Sequence, residues 1–411
     1  MENRFQVRLN VCKSWNCVNL GVPDAPDYVF PVYRLGYPAL GCGACGSLPP
    51  LFNEPECNAW FSHLFAHHLG LTGQGCPRGC HARLIRYGAN RSGSPRLQCV
   101  GCNAVFTPWR GSHAVVSRIE HLLAALDAGN HQSDTTACRA LRQAALMCES
   151  AVIPPVARIA TRTLTLPFQG ERRDCLLYVI LSADVDSGQI LQVSTNYSPW
   201  PVGESLRYQG LSAHPPVNNG ETLVERVRNR EALFLARSQF DEIRYGYARL
   251  KRNDSGAMLR PVIALHGHFQ RLKRRFPGVA ELYLDHECVL RGAAITAWAS
   301  DVRAGATRLW FVVEEGDADA GGAQQPRGSW HFGWWKNHWQ LWENATSRKM
   351  VSLLTGSDRA YDPQRITLRA CDDFIGWLAA HPWATHSGRL SAGVISQQLS
   401  CLAARYPRHQ P

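Results

Sequence analysis

Two pairs of cysteines, Cys76 with Cys80 and Cys99 with Cys102, stand at spacings where four thiolates can close a tetrahedral Zn²⁺ site. Buried thiols or disulfides are the alternatives. A chain opening MENRFQVRLN, with no apolar export segment, is expected in a reducing compartment, which favours metal. Residues 76 to 106 carry five arginines, Arg78, Arg83, Arg86, Arg91 and Arg96, and no acid, so this module reads as a basic zinc ribbon able to meet phosphate. A second set, Cys12, Cys17, Cys42 and Cys45, precedes it, with Gly41 and Gly46 beside the later pair. Residues 1 to 57 hold four basic and five acidic side chains, so of the two ribbons the second is the one expected to touch nucleic acid. His63 and His67 are spaced i, i+4 on a helical stretch that could bind metal, but both cysteine sets are already complete, and packed or solvated histidines are expected instead.

At 411 residues the chain exceeds one ordinary core. A formal charge of +11 and a pI near 9.1 favour an anionic partner, nucleic acid first and a membrane surface second. The longest apolar run, Cys175 to Ala183, falls well short of the roughly 20 residues that span a bilayer. A cytoplasmic, nucleoid-associated protein with no membrane contact is expected.

The elements that must position these groups follow from periodicity. AVVSRIEHLLAALDAG has helical spacing and stops at Gly129. Ser133 or Asp134 can cap a helix over Thr135 to Met147, and Ser150 a third element broken by Pro154 and Pro155. That array suits either a helix-turn-helix unit or a helical linker. RTLTLPF, CLLYVILSAD and GQILQVSTNY then read as a three-strand meander. A charged helix from Glu221 to about Phe240, a basic helix His266 to Phe276, strand ELYLD ending at Asp285, a helix from Cys288 to about Ala299 and strand TRLWFVVEE come next. A helix from about Trp334 to Leu354 is predicted to carry Glu343, with Trp335, Trp339 and Trp342 as one stripe, read as core packing ahead of a base-stacking platform. The tail from Arg365 reads as helical and without chemistry. Nine Lys or Arg against two acids over residues 242 to 276 offer either a phosphate-contacting surface or a solvated face.

The order βββ, helix, β, helix, β, helix, with an Asp closing the fourth strand and a Glu on the helix after the fifth, resembles the ribonuclease-H-like core of DDE transposases and integrases. CPRGC, RYGANRSGSPRLQCVGC and NAVF resemble the zinc ribbon heading many bacterial insertion-sequence transposases, and CKSWNCVNLGV with GCGACG is similar to a variant ribbon of that group. The implied architecture is a multidomain α+β/α/β chain. It has a first zinc ribbon over 1 to 57, a helical connector over 58 to 75 and a second, basic ribbon over 76 to 110. A helix-turn-helix-like segment over 111 to 160, a ribonuclease-H-like mixed-sheet core over 161 to 356 and a helical tail over 357 to 411 complete it.

The resemblance implies structural Zn²⁺ at two sites and catalytic Mg²⁺ held by three carboxylates, since strand cleavage and transfer use two hard cations about 4 Å apart. Asp285 and Glu343 correspond to the second and third acids, and Arg348, one helical turn from Asn344, would approach a DNA phosphate together with the ribbon arginines. The first acid belongs within the first strand, where RTLTLPF has none. Asp184 fills the role only if the meander contains one strand fewer than counted. Otherwise the core is a degenerate, DNA-binding one. The implied partner is double-stranded DNA at element ends, bound by a homodimer or higher oligomer.

Overall fold

The computed structural model describes residues 6–34, 37–80, 82–108, 113–129, 140–141, 143–145, 155–208, 210, 221–236, 246–317, 320–333, 336–356 and 361–406. It is mixed α/β, dominated by one sheet of eight strands. The N-terminal module contains the hairpin β1 (Tyr28–Val32) and β2 (Ala39–Cys42), followed by the long helix α1 (Glu54–Thr72). A three-stranded ribbon comes next, β3 (Leu84–Ala89), β4 (Pro95–Cys99) and β5 (Val105–Phe106), and then α2 (His113–Asp127). The second and third helices expected over residues 131 to 154 fall largely outside the described residues.

The meander is present as β6 (Arg158–Pro167), β7 (Leu176–Asp184) and β8 (Ile190–Thr195), after which β9 (Tyr197–Ser198) pairs with β10 (Ala257–Met258) across α3 (Leu223–Ala236). Strand β7 is apolar almost throughout and buried on both faces, the pattern of a strand covered by helices on either side. Helix α4 (Pro261–Arg275) starts on a proline, whose fixed φ suits a first turn. It leads into β11 (Glu281–Asp285), then α5 (Cys288–Ala297), α6 (Ala299–Arg303) and β12 (Arg308–Gly316). Strand β11 runs parallel to both β6 and β12, while β7 is antiparallel to its neighbours β6 and β8.

One expectation is overturned here. The helix expected from about Trp334 to Leu354 is not formed over the described residues 336–354: β13 (Gln325–Phe332), β14 (Asn337–Glu343) and β15 (Ser347–Leu353) extend the sheet antiparallel beyond β12. In β14 the buried residues Asn337, Trp339 and Leu341 alternate with His338 and Gln340, a period of two that satisfies a strand. The helix that follows the fifth strand lies beyond this hairpin, as α7 (Arg369–Ala380), with α8 (Ala384–Ser387) and α9 (Ala392–Arg405) after it.

Two cores sandwich the sheet. One face packs against α2, α7 and α9 through Leu122, Leu126, Phe374, Leu378 and Leu399, and the other against α3, α4 and α5 through Phe234, Phe269, Leu290 and Ile295. Helix α1 joins α4 in a third cluster around Phe61, Phe65 and Val262. The two cysteine modules sit differently. Leu20 of the first is buried in the core, Gly21 holds φ +66° and approaches Ala299 so closely that a Cβ would lie 2.2 Å from its methyl, and Arg303 donates to the Leu20 carbonyl. Strands β3 to β5 instead project from the C-terminal end of α1 with much of β3 exposed. No described helix is long and apolar enough to cross a membrane.

Candidate metal centres and the acid cluster of the sheet

Cys12, Cys17, Cys42 and Cys45 form one set and Cys76, Cys80, Cys99 and Cys102 another, with the sulfurs of each set within 4.8 Å of one another. Sγ–Sγ separations of 3.6 Å for Cys12–Cys45, 3.7 Å for Cys17–Cys42 and 3.5 Å for Cys76–Cys102 are far from the ~2 Å of a disulfide. They approach the edge of a tetrahedron with Zn–S bonds of about 2.3 Å, which is about 3.8 Å. The turns are built for this. Asn16 and Gly79 just before a second cysteine, and Gly46 and Asn103 just after one, hold positive φ, a conformation open to Gly and Asn at little cost. Backbone N–H groups of Ser14 and Arg78 point at the sulfurs of Cys12 and Cys76, and the Asn19 amide at that of Cys42, which suits thiolates rather than thiols. The two sets could therefore hold two zinc ions. They are also the only groups of His, Cys, Asp or Glu among the described residues whose ligand atoms converge in this way.

On the basic ribbon, Arg78, Arg83, Arg86 and Arg91 are exposed and Arg96 is half-buried over the Tyr87 ring, its guanidinium carbon 5.6 Å from the centroid. No acid lies within residues 76 to 110 to neutralise them. The second basic run is spent differently. Lys273 pairs with Asp301 at 2.7 Å, Arg275 donates to the Leu191 carbonyl and Arg274 covers Phe65. His63 and His67 pack against Trp200.

The three expected catalytic acids are not brought together. Asp184 ends β7 opposite Ile159 and binds the turn into β8, accepting from Ser187 Oγ and from the amides of Asp186 and Ser187, so the meander has its full strand count. Glu343 ends β14 opposite Arg348 and pairs with Arg348 at 3.3 Å and Arg327 at 3.7 Å. Strands β15 and β12 separate β14 from the β11 strand of Asp285, a gap of roughly 14 Å at ordinary strand spacing. Arg348 is thus a cross-strand partner of Glu343, and Asn344 is a turn residue accepting from the amides of Thr346 and Ser347.

Asp285 has other neighbours. Leu284 of β11 lies opposite Thr161 of β6, so the next step sets Asp285 beside Arg162 within the first strand of the meander. Arg162 Nε lies 2.9 Å from Asp372 Oδ1, in the first turn of α7, and Asp285, Asp372 and Glu314 of β12 all act on its charge. Burial opposes that charge, but the three carboxylates outweigh it and hold the Arg162 pKa above its usual value. Burial pushes Asp372 up to about 6, with Arg162 pulling down and Glu314 and Asp285 pushing up. Glu314 is itself engaged, accepting from Thr367 Oγ1 and the Leu368 amide at the start of α7, with buried Lys349 3.9 Å away. A magnesium pair does not fit here: these carboxylates are not among the described groups whose ligand atoms converge, and Asp372 is paired with a guanidinium that cannot shed its proton.

Behind the same strand end, on the opposite face, Glu231 of α3 is 1% exposed and accepts through Oε1 from His286 Nε2, Asn337 Nδ2 and Trp339 Nε1 at 3.0–3.2 Å. Burial lowers the His286 pKa while Glu231 pulls it back up, and the ring donates its Nε2 proton to the carboxylate. Glu287 accepts from Thr163 and Tyr178. Sequence reasoning passed over Asp372, Glu314 and Glu231. The paired acids in ACDDF were the available signal for the first, once the hairpin before them is read as strands.

No profile of a known protein family matches the chain, and no curated protein matches it.

Proposed function

We propose that this chain is a DNA-binding protein of the transposase type whose ribonuclease-H-like core does not cut DNA, acting as a regulator or accessory factor. Supporting the core assignment is a meander followed by two strands parallel to its first, with helices between them and an Asp closing the fourth strand. Supporting DNA binding are the acid-free, arginine-bearing ribbon and the net charge of +11.

The observation that carries the non-cleaving reading is Arg162. It occupies the first strand, where the resemblance calls for an acid, and its guanidinium pairs with Asp372 beside Asp285 and Glu314. One fixed cation there does the charge compensation that a metal ion would otherwise do, without offering a coordination site for an attacking or leaving oxygen.

The competing reading, metal-dependent cleavage and strand transfer, is favoured by one observation: three carboxylates, Asp285, Glu314 and Asp372, all act on the charge of one side chain, Arg162. Supercoiled plasmid incubated with the zinc-loaded protein and Mg²⁺ or Mn²⁺ separates the two. Retarded but intact plasmid is expected, and nicked circles that disappear in Asp285→Asn would establish cleavage instead.

A further inference from the structure

The outer face of the basic ribbon has a composition that bulk charge does not explain. Register pairs Ile85 with Gln98 and Gln98 with Val105, while Cys99 turns inward to the metal set and Leu97 lies opposite Phe106. Alternation therefore places Gln98 and Arg96 of the central strand on the face away from the cysteine ligand, about 6.6 Å apart along β4. Tyr87 joins them from β3, and its ring lies under the Arg96 guanidinium. The hairpin tip is pre-shaped: Asn90 Oδ1 accepts from the amides of Ser92 at 3.0 Å and Ser94 at 2.8 Å, Gly93 holds φ +77°, and Arg91 sits exposed at the apex.

We propose that this face lies in the major groove of duplex DNA, with Arg96 and Gln98 at base edges and Arg83 and Arg91 on the flanking phosphates; this rests on the DNA-binding reading above. Beyond the two-residue β5 the ribbon continues as the β3–β4 pair that carries Tyr87, Arg96 and the tip, and a two-stranded β-ribbon fits the roughly 12 Å width of the major groove. Arg presents two parallel donors to guanine O6 and N7, and Gln presents a donor and an acceptor to adenine N6 and N7. The Tyr87 ring limits the Arg96 rotamers, so the guanidinium is oriented before contact. The alternative partner, A-form duplex RNA, has a deep, narrow major groove that a strand pair does not enter.

The full-length, zinc-loaded protein is used to enrich a randomised DNA duplex pool. Affinity for the enriched site and for unrelated duplex DNA, single-stranded DNA and duplex RNA is then read by fluorescence anisotropy across salt concentrations. Arg96→Ala and Gln98→Ala, each checked to retain two zinc ions per chain, are expected to weaken the enriched site roughly ten- to a hundredfold while changing unrelated duplex less than about threefold. Arg91→Ala should weaken both duplexes alike and reduce the salt slope by about one. A pool that binds but does not enrich, an enriched site indifferent to both Arg96→Ala and Gln98→Ala, or preference for duplex RNA overturns the groove assignment while nucleic-acid binding stands. Failure of the intact chain to bind any nucleic acid removes the underlying reading as well.

Discussion

Arg162 and Asp372 decide what the sheet's acid cluster can do, and their pairing has a pH signature. Asp372 is raised to about 6 from 3.8, chiefly by burial, so the folded chain holds this proton more firmly than the unfolded chain does. Between those two values the folded state binds more protons, and the contribution of Asp372 to stability falls as pH rises. Asp372→Asn should remove that slope. Urea unfolding of both proteins at pH 5 and pH 6.5 checks this, because subtracting one from the other cancels the cysteine protonation they share. Wild type should lose stability relative to the variant on going to pH 6.5. On the other face of the sheet, Glu231→Ala strands three buried donors, from His286, Asn337 and Trp339, and should cost about 3 kcal/mol or more in chemical denaturation. Glu231→Gln keeps an acceptor oxygen and should cost less.

The elements explain which of these residues were legible in the chain. Each cysteine pair sits in a short-range turn, so spacing alone picked out the eight cysteines that come together as two sets able to hold zinc. Asp285 was legible because it ends the five-residue strand ELYLD, directly after three apolar residues. Glu343 misled because Trp335, Trp339 and Trp342 have helical spacing in the sequence, whereas the burial that alternates at Asn337, Trp339 and Leu341 shows a strand only in three dimensions. Once residues 337 to 353 are strands, the helix after β12 becomes α7 and its acid Asp372. Arg162 gave no local signal at all, since its meaning depends on the register of β6 against β11, strands more than a hundred residues apart.

The same contrast between buried and projecting elements predicts unequal roles for the two cysteine modules if each holds zinc. Cys12→Ser removes a ligand from the module that contributes Leu20 and Gly21 to the main core, and should lower the thermal midpoint of the whole chain. Cys99→Ser should lose one zinc ion and DNA affinity while the midpoint of the sheet changes little. Zinc content by elemental analysis, alongside differential scanning calorimetry, checks both.

For the molecule as a whole, the sheet with its helices forms one scaffold, the first cysteine module is packed into it, and the second stands out from it bearing unneutralised arginines. Elemental analysis should find two Zn²⁺ per chain, and a value of zero in carefully handled protein would remove the ribbon assignment. The most direct test of the central claim, that Arg162 stands where a catalytic metal would be needed, is calorimetric titration of the zinc-loaded protein with Mn²⁺. Wild type should show no site tighter than millimolar, while Arg162→Ala should acquire one through Asp285, Glu314 and Asp372. A tight wild-type site that disappears in Asp285→Asn would contradict the account.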